Sequence, residues 1–468
     1  MLVLLFALGL GTWVSSAEAA RITKGPYLQE LGPGGVVVRI EVDPPSPVTL
    51  VINAADDAEP AGLDGGAPRA KPDAGKLNTV GIVEAPHASA LHDLRVQGLA
   101  PQRRYTYEIT VGTGSATTEK AQGTFTTSPT PGTGAPFSFL LYGDNRTDPD
   151  AHSAVVRAMQ NVPSDFLVHT GDFIEDGRVP ADWQEFFKIE RPLLRDRCVF
   201  ACVGNHELLE TAGENYLRYF GPSQPSRLYS SFRWGDARFF LLNGSDTFTD
   251  GAEADWLKQE LSRADSEAGL SWRFVVIHHG PWSAGPHGNN ARLLTGNAEA
   301  LFAQHKIDAI FSGHDHIYER GSKNGMRYVV SGGGGAPLYP IKGPSSSTRK
   351  VESAYHFVEV SVTPDAVKMI VHRPTGAVLE RCGFSRAPGW DCDAPTAPPL
   401  LPANAPAIGS AAPAPAEPRA PVSRCGCRIV GDRAPRGPFA PAALLMVALA
   451  LGARRGTRTA RFAGRSRP

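Results

Sequence analysis

Over the first quarter of the chain, apolar and polar residues alternate in short runs. Residues 35–42, 48–52 and 105–111 carry this period-two pattern, and Pro, Gly and Asp separate them. Such runs predict half-buried strands, so residues 21–128 are expected to form an all-β antiparallel sandwich of about a hundred residues. After a Pro/Gly/Thr linker near residues 128–135 the texture changes. Continuous apolar runs at 137–142, 166–170, 199–203, 239–243, 274–277 and 309–312 alternate with amphipathic stretches, the pattern of an α/β layered structure over residues 136–392. Acidic residues, asparagine or histidine follow most of these runs, at the carboxyl ends of the expected strands, where open α/β sheets place their ligand sites.

The two ends read differently. Residues 1–20 open with an apolar stretch and finish Ala17-Glu18-Ala19-Ala20, which predicts a cleaved export signal, although the usual basic start is missing. Residues 393–424 are rich in Ala and Pro and suit a semi-rigid spacer. Residues 425–468 hold Cys425-Gly426-Cys427-Arg428, an apolar run over 439–453 and an Arg-rich end. That run would span roughly 22 Å as a helix against a hydrocarbon core of about 30 Å, so a processed tail or anchor is expected rather than a stable transmembrane helix.

Composition narrows the partners. The chain has 468 residues, 42% hydrophobic and 20% charged, enough to bury a large core. Lys plus Arg equals Asp plus Glu at 47 each, so no global field points to nucleic acid or a membrane surface, and contact with a membrane is expected only through the C-terminal segment. Export would place the six cysteines where disulfides persist. Cys382 and Cys392 are near enough in sequence to staple a short loop. Cys198 and Cys202, four apart on an expected strand, read as core packing.

Five segments carry the candidate chemistry: Gly143-Asp144-Asn145-Arg146, Gly171-Asp172-Phe173-Ile174-Glu175, Gly204-Asn205-His206-Glu207, His278-His279-Gly280-Pro281-Trp282 and Gly313-His314-Asp315-His316. A pair of ions about 3.5–4 Å apart needs a bridging carboxylate and flanking N and O ligands that leave positions open for water and phosphate oxygen. Asp172 suits the bridge. The neutral carbonyl of Asn205 would leave one ion enough positive charge for an anionic substrate. His314 and His316, on one short segment, can each reach one ion, and His278 or His279 completes a shell.

In this order the segments resemble those of calcineurin-like metallophosphoesterases. The likeness is greatest to purple acid phosphatases, since Gly313 to Arg320 resembles their last block and Ser331 to Pro337 their glycine-rich turn. Residues 25–29 and 92–101 resemble their N-terminal module and the later strands of a fibronectin type III domain, so the resemblance covers about residues 22–371. It implies a four-layer αββα sandwich preceded by a fibronectin III-like domain, and two ions drawn from iron, manganese and zinc, alike or mixed. Asp172, Asn205, His278 and His314 would hold the second ion; Asp144, Asp172 and His316 would hold the first. His279 is the alternative to His278. The tail resembles the C-terminal sorting signals of myxobacterial surface proteins.

Two positions depart from the family. Glu175 stands where purple acid phosphatases carry a tyrosinate ligand, and Arg146 stands where another subgroup carries histidine. Either Glu175 is a replacement ligand, or it pairs with Arg146 and leaves the first ion with fewer protein ligands; the second account is preferred. Arg146 could also clamp a substrate phosphate. His206 is the first candidate for acid or phosphate clamp and His287 the second, while His152, His169 and His356 are assigned to structure. The expected function is hydrolysis of small phosphate monoesters by an exported or surface-held enzyme. A phosphodiesterase or nucleotidase, or an inactive binding protein that keeps the fold, are the alternatives.

Overall fold

The computed structural model describes residues 20–55, 78–112, 119–210, 213–222, 227–244 and 251–393. Apart from boundary residues Ala20 and Asp393, the export signal, the spacer and the C-terminal segment of the sequence reading lie outside these residues. No described helix is long and apolar enough to cross a membrane.

The N-terminal strands are β1 (Arg21–Gln29), β2 (Gly35–Ala54), β3 (Asn78–Gln97), β4 (Arg104–Val111) and β5 (Lys120–Thr126). They hydrogen-bond into one antiparallel five-stranded sheet. β2 pairs with β3 along its length, with β1 over its first half and with β4 over its second. The runs at 35–42 and 48–52 are therefore one strand, not two. Its register with β3 shifts between Glu41 and Val48, where Pro44, Pro45 and Pro47 cannot donate to a ladder.

The α/β region follows in the order β6 (Phe137–Tyr142), α1 (Pro149–Gln160), β7 (Phe166–His169), α2 (Pro180–Leu194), β8 (Cys198–Ala201), α3 (Glu214–Tyr219), β9 (Ser230–Trp234), β10 (Ala237–Leu242), α4 (Gly251–Asp265), β11 (Trp272–Ile277), α5 (Ala291–Thr295), α6 (Ala298–Gln304) and β12 (Ala309–Ser312). Strands β13 (Tyr318–Lys323), β14 (Met326–Ser331), β15 (Thr348–Glu352), β16 (Phe357–Val362), β17 (Ala366–His372), β18 (Val378–Ser385) and β19 (Asp391–Cys392) complete it. Two seven-stranded sheets result, ordered β15-β13-β14-β12-β11-β10-β9 and β19-β18-β17-β16-β6-β7-β8. In the first sheet the pairs from β10 to β14 are parallel and the outer pairs antiparallel; in the second, β6, β7 and β8 are parallel at one end and the pairs from β19 to β6 antiparallel.

Alternation along β6 shows how the layers meet. Phe139 and Leu141 join Phe239, Phe274 and Phe311 of the other sheet in a shared core. Leu140 and Tyr142 pack with Val155 and Val156 of α1 and Phe186 of α2. On the other sheet, Phe240 and Val275 pack with Leu257 and Leu261 of α4 and Phe302 of α6. Burial on both faces explains the continuous apolar runs in the sequence. Cys382 and Cys392 form a disulfide between β18 and β19, and Cys198 and Cys202 are free and buried.

Candidate metal centre

The parallel pairing of β6 with β7 and of β7 with β8 places their carboxyl ends side by side, and the loops that follow carry Asp144, Asp172 and Asn205. From the facing sheet, β11 runs into His278 and β12 into His314. The chain turns sharply at three of these positions, since Asp144 has φ 56°, Asp172 58° and His314 72°, all in the left-handed region. Two glycines are required by contact. A Cβ at Gly204 would fall 2.2 Å from Asp172 Oδ1, and one at Gly313 2.2 Å from Asp144 Oδ2.

The ligating atoms of Asp144, Asp172 and His278 lie within 4.8 Å of one another, and so do those of His278, His279 and His314. Asp144, Asp172 and His278 are fully buried or nearly so. His278 Nδ1–H donates to the Thr170 carbonyl (2.8 Å), which turns Nε2 towards Asp172 Oδ1 (3.3 Å) and Asn205 Oδ1 (3.1 Å). His316 is oriented the same way, its Nδ1 bonded to the Pro337 carbonyl (2.7 Å) and its Nε2 3.7 Å from Asp144 Oδ1. That buried Nε2 has no hydrogen-bond partner. Backbone N–H groups steady the carboxylates: His206 N–H donates to Asp172 (3.1 Å) and His314 N–H to Asp144 (3.0 Å).

Burial drives Asp144 well above the usual carboxylate range, with Asp172 adding to the rise. For Asp172, burial is outweighed by His278, so its carboxyl stays well below that range. Burial likewise opposes a charged His278, but Asp172 and Asp144 win and raise it to about 10. His279 falls to about 3, through burial and then the neighbouring His278, and burial takes His316 to about 4. Two adjacent buried carboxylates cannot both stay charged without nearby cations, and bound ions would take the place of the proton that burial favours on Asp144. The oriented imidazole nitrogens, the unpartnered His316 Nε2 and the mixed N/O donor set fit divalent or trivalent ions such as zinc, manganese or iron.

Glu175 turns to Arg146 (Oε2 to Nη1, 2.6 Å), and the same guanidinium lies 3.3 Å from Asp172 Oδ2 through Nε. His206 bonds through Nδ1 to the Glu175 carbonyl, with Nε2 3.8 Å from Asp172 Oδ2. The rings of His287 and His279 each lie 4.0 Å from that of His314. These three histidines, with Trp282, Asn289 and Arg292, line a cavity of about 380 Å³ beside the cluster.

Two residues were given no role from sequence. Glu207 is buried and accepts N–H bonds from Asp172 (3.0 Å), Gly204 (2.8 Å) and Phe173 (2.8 Å), tying two ligand loops together. Its place in the third segment was visible; its partners, being backbone, were not. Tyr339 stacks on His316 at 3.9 Å, and nothing in the local sequence signals that contact.

Residues 137–318 match the family model for the calcineurin-like phosphoesterase. Purple acid phosphatase 23 of Arabidopsis thaliana is 26% identical over 299 residues, covering 56% of this chain and 64% of that protein. The chain thus spans less than two thirds of that relative's length. Among solved structures, a purple acid phosphatase from yellow lupin (Lupinus luteus) seeds matches with a TM-score of 0.64 and 15% identity, over 78% of this chain and 74% of that one. A structure of PhoD matches with a TM-score of 0.61 and 13% identity, over 81% and 94%. At such identities the structures speak for the fold. Residues 137–318 are thus similar to a calcineurin-like phosphoesterase domain, and the buried carboxylate and imidazole cluster lies within them.

Proposed function

We propose that this chain hydrolyses small phosphate monoesters at a two-ion centre and does so after export. The carrying observation is the buried grouping of Asp144, Asp172 and His278 within 4.8 Å. Asp172, Asn205, His278 and His314 would hold one ion, and Asp144, Asp172 and His316 the other. Iron, manganese and zinc all suit these donors. Bound ions at such a centre acidify water and offset charge on phosphate oxygens. His278 is favoured over His279 because only His278 has a nitrogen turned onto Asp172 and Asn205.

The chain's own groups supply the rest. Arg146, held by Glu175 and Asp172, presents a fixed cation that can bind phosphate. The 2.6 Å contact favours Glu175 as its partner rather than as a ligand. His206 is placed to protonate the leaving oxygen or clamp phosphate, and His287, at the cavity wall, to assist. The cavity of about 380 Å³ is of a size for the organic half of a small ester. That room also keeps a diester or nucleotide substrate in view.

The same reading takes the helix, sheet, sheet and helix packing as a four-layer αββα sandwich over 136–392. It takes residues 21–128 as a fibronectin III-like module, residues 1–20 as an export signal, 393–424 as a spacer and 425–468 as a sorting or anchor segment. The test is hydrolysis of p-nitrophenyl phosphate and of bis-p-nitrophenyl phosphate from acidic to mildly alkaline pH, with metal analysis of the same preparation. Metal-dependent turnover favouring the monoester is expected. Preference for the diester would move the reading to a phosphodiesterase, and metal-loaded protein without turnover to a binding protein.

A further inference from the structure

Behind the carboxylate loops runs a file of polar side chains that the proposed chemistry does not use. His169, Asn145, His152 and Glu190 are 0%, 2%, 3% and 0% exposed. The hydrogen-bond directions can be read from one end. Gly171 N–H donates to His169 Nδ1 (3.1 Å), so the ring proton is on Nε2, which donates to Asn145 Oδ1 (2.8 Å). A carboxylate oxygen accepts, so His152 gives its Nε2–H to Glu190 Oε1 (2.8 Å). Asn145 Nδ2 lies against the edge of the same ring, 2.8 Å from Nε2 and 3.3 Å from Nδ1; with Nε2–H given to Glu190, only Nδ1 is left to accept from it. Every step has a donor and an acceptor.

We infer that Glu190 is a positioning residue for the metal centre, acting through His152, Asn145 and His169 on the loops that carry Asp144 and Asp172. Asn145 follows Asp144 directly, and Gly171, which bonds His169, directly precedes Asp172, so both carboxylate loops hang from one chain of hydrogen bonds rooted in α2. The roots are packed in place. The His169 ring stacks on Phe173 at 3.8 Å, the His152 ring stacks on Phe186 at 5.9 Å, and a Cβ at Gly335 would sit 2.9 Å from His152 Cβ. At the far end Glu190 Oε2 has no partner, although Glu190 is fully buried beside an aromatic cluster. An apolar residue there would suit the core better. A carboxylate at that place is accounted for by what it orders: without an acceptor for His152 Nε2–H, the ring and the Asn145 amide lose the hydrogen bond that sets their orientation beside the left-handed aspartates. Outer partners of this sort set ligand orientation and metal affinity.

The inference rests on the metal-centre reading, and one experiment separates the two. Manganese or zinc binding to the metal-free full chain is measured by calorimetry and by chelator competition for wild type, Glu190→Leu, Glu190→Gln and His152→Phe. His152→Phe keeps the stacked ring and removes both nitrogens. The expected result is a loss of about tenfold or more in metal affinity for Glu190→Leu and His152→Phe. Most of it should return in Glu190→Gln, whose amide oxygen still accepts, and the melting temperature of the metal-free Leu variant should be no lower than that of wild type. Wild-type affinity in a folded Leu or Phe variant overturns the positioning role alone. A lowered melting temperature with unchanged affinity makes the file a structural element and also overturns it. A wild-type chain that takes up no ion overturns both this inference and the metal-centre reading.

Discussion

His206 sits 3.8 Å from Asp172 through Nε2, while its other nitrogen is held by the Glu175 carbonyl. It is therefore aimed, yet its side chain is not among the proposed ligands Asp144, Asp172, Asn205, His278, His314 and His316. His206→Ala is expected to keep its full metal content and to lose more than about tenfold in kcat on p-nitrophenyl phosphate, as general-acid groups do. Wild-type turnover in the metal-loaded variant would remove His206 from the chemistry. At this scale the sequence was most legible where a short apolar run ends in Asp, Asn or His, because strand and candidate ligand are then neighbours in the chain. Glu207 and Tyr339 were not legible. Glu207 works through three backbone N–H groups that carry no residue signature, and Tyr339 reaches His316 from 23 positions away in sequence.

Elements buried on both faces announce themselves as unbroken apolar runs, which is why β6, β7, β11 and β12 were legible to within a residue or two. β13 and β15, reading YERGSK and TRKVE, have no such run; their strand character comes from pairing with each other and with β14. In β2 the prolines hid continuity by removing donors. Charge pairs also join elements. Glu267, after α4, takes Arg238 of β10 by two oxygens (2.8 and 2.7 Å from Nη2) and Arg233 of β9 (2.8 Å). Burial opposes a charged Glu267, but the two guanidinium groups win and hold its carboxyl below the ordinary 4.5. A depressed folded-state value means that stability is present above 4.5 and is lost as pH falls through the folded value. Glu267→Gln should therefore lower the melting temperature at neutral pH and flatten its fall below pH 4.5, read by thermal scans of both proteins. An identical pH profile would count against the pair.

Across the whole molecule, the N-terminal sheet is fastened to the α/β region rather than strung beside it. Tyr107 Oη donates to the Arg195 carbonyl (2.7 Å), Arg39 to the Tyr219 carbonyl (2.7 Å), and Thr124 N–H to Asp196 (2.8 Å). Tyr27 of β1 packs on Phe187 of α2 at 4.9 Å. The sequence suggested a linker between two modules, and composition cannot report how closely two modules pack. Expressing residues 136–392 alone should expose that seam, so the fragment is expected to melt lower than the full chain and to associate on size-exclusion chromatography. A monomeric fragment with the full chain's melting temperature would show that the seam contributes little.

Asp144, Asp172 and His314 hold left-handed backbone that costs roughly 1–2 kcal/mol per residue relative to glycine. The energy of the fold is thus spent unevenly: part of what the packed sheets contribute is held as backbone tension where the candidate metal donors stand, so the chain is least relaxed at the place where its chemistry is proposed.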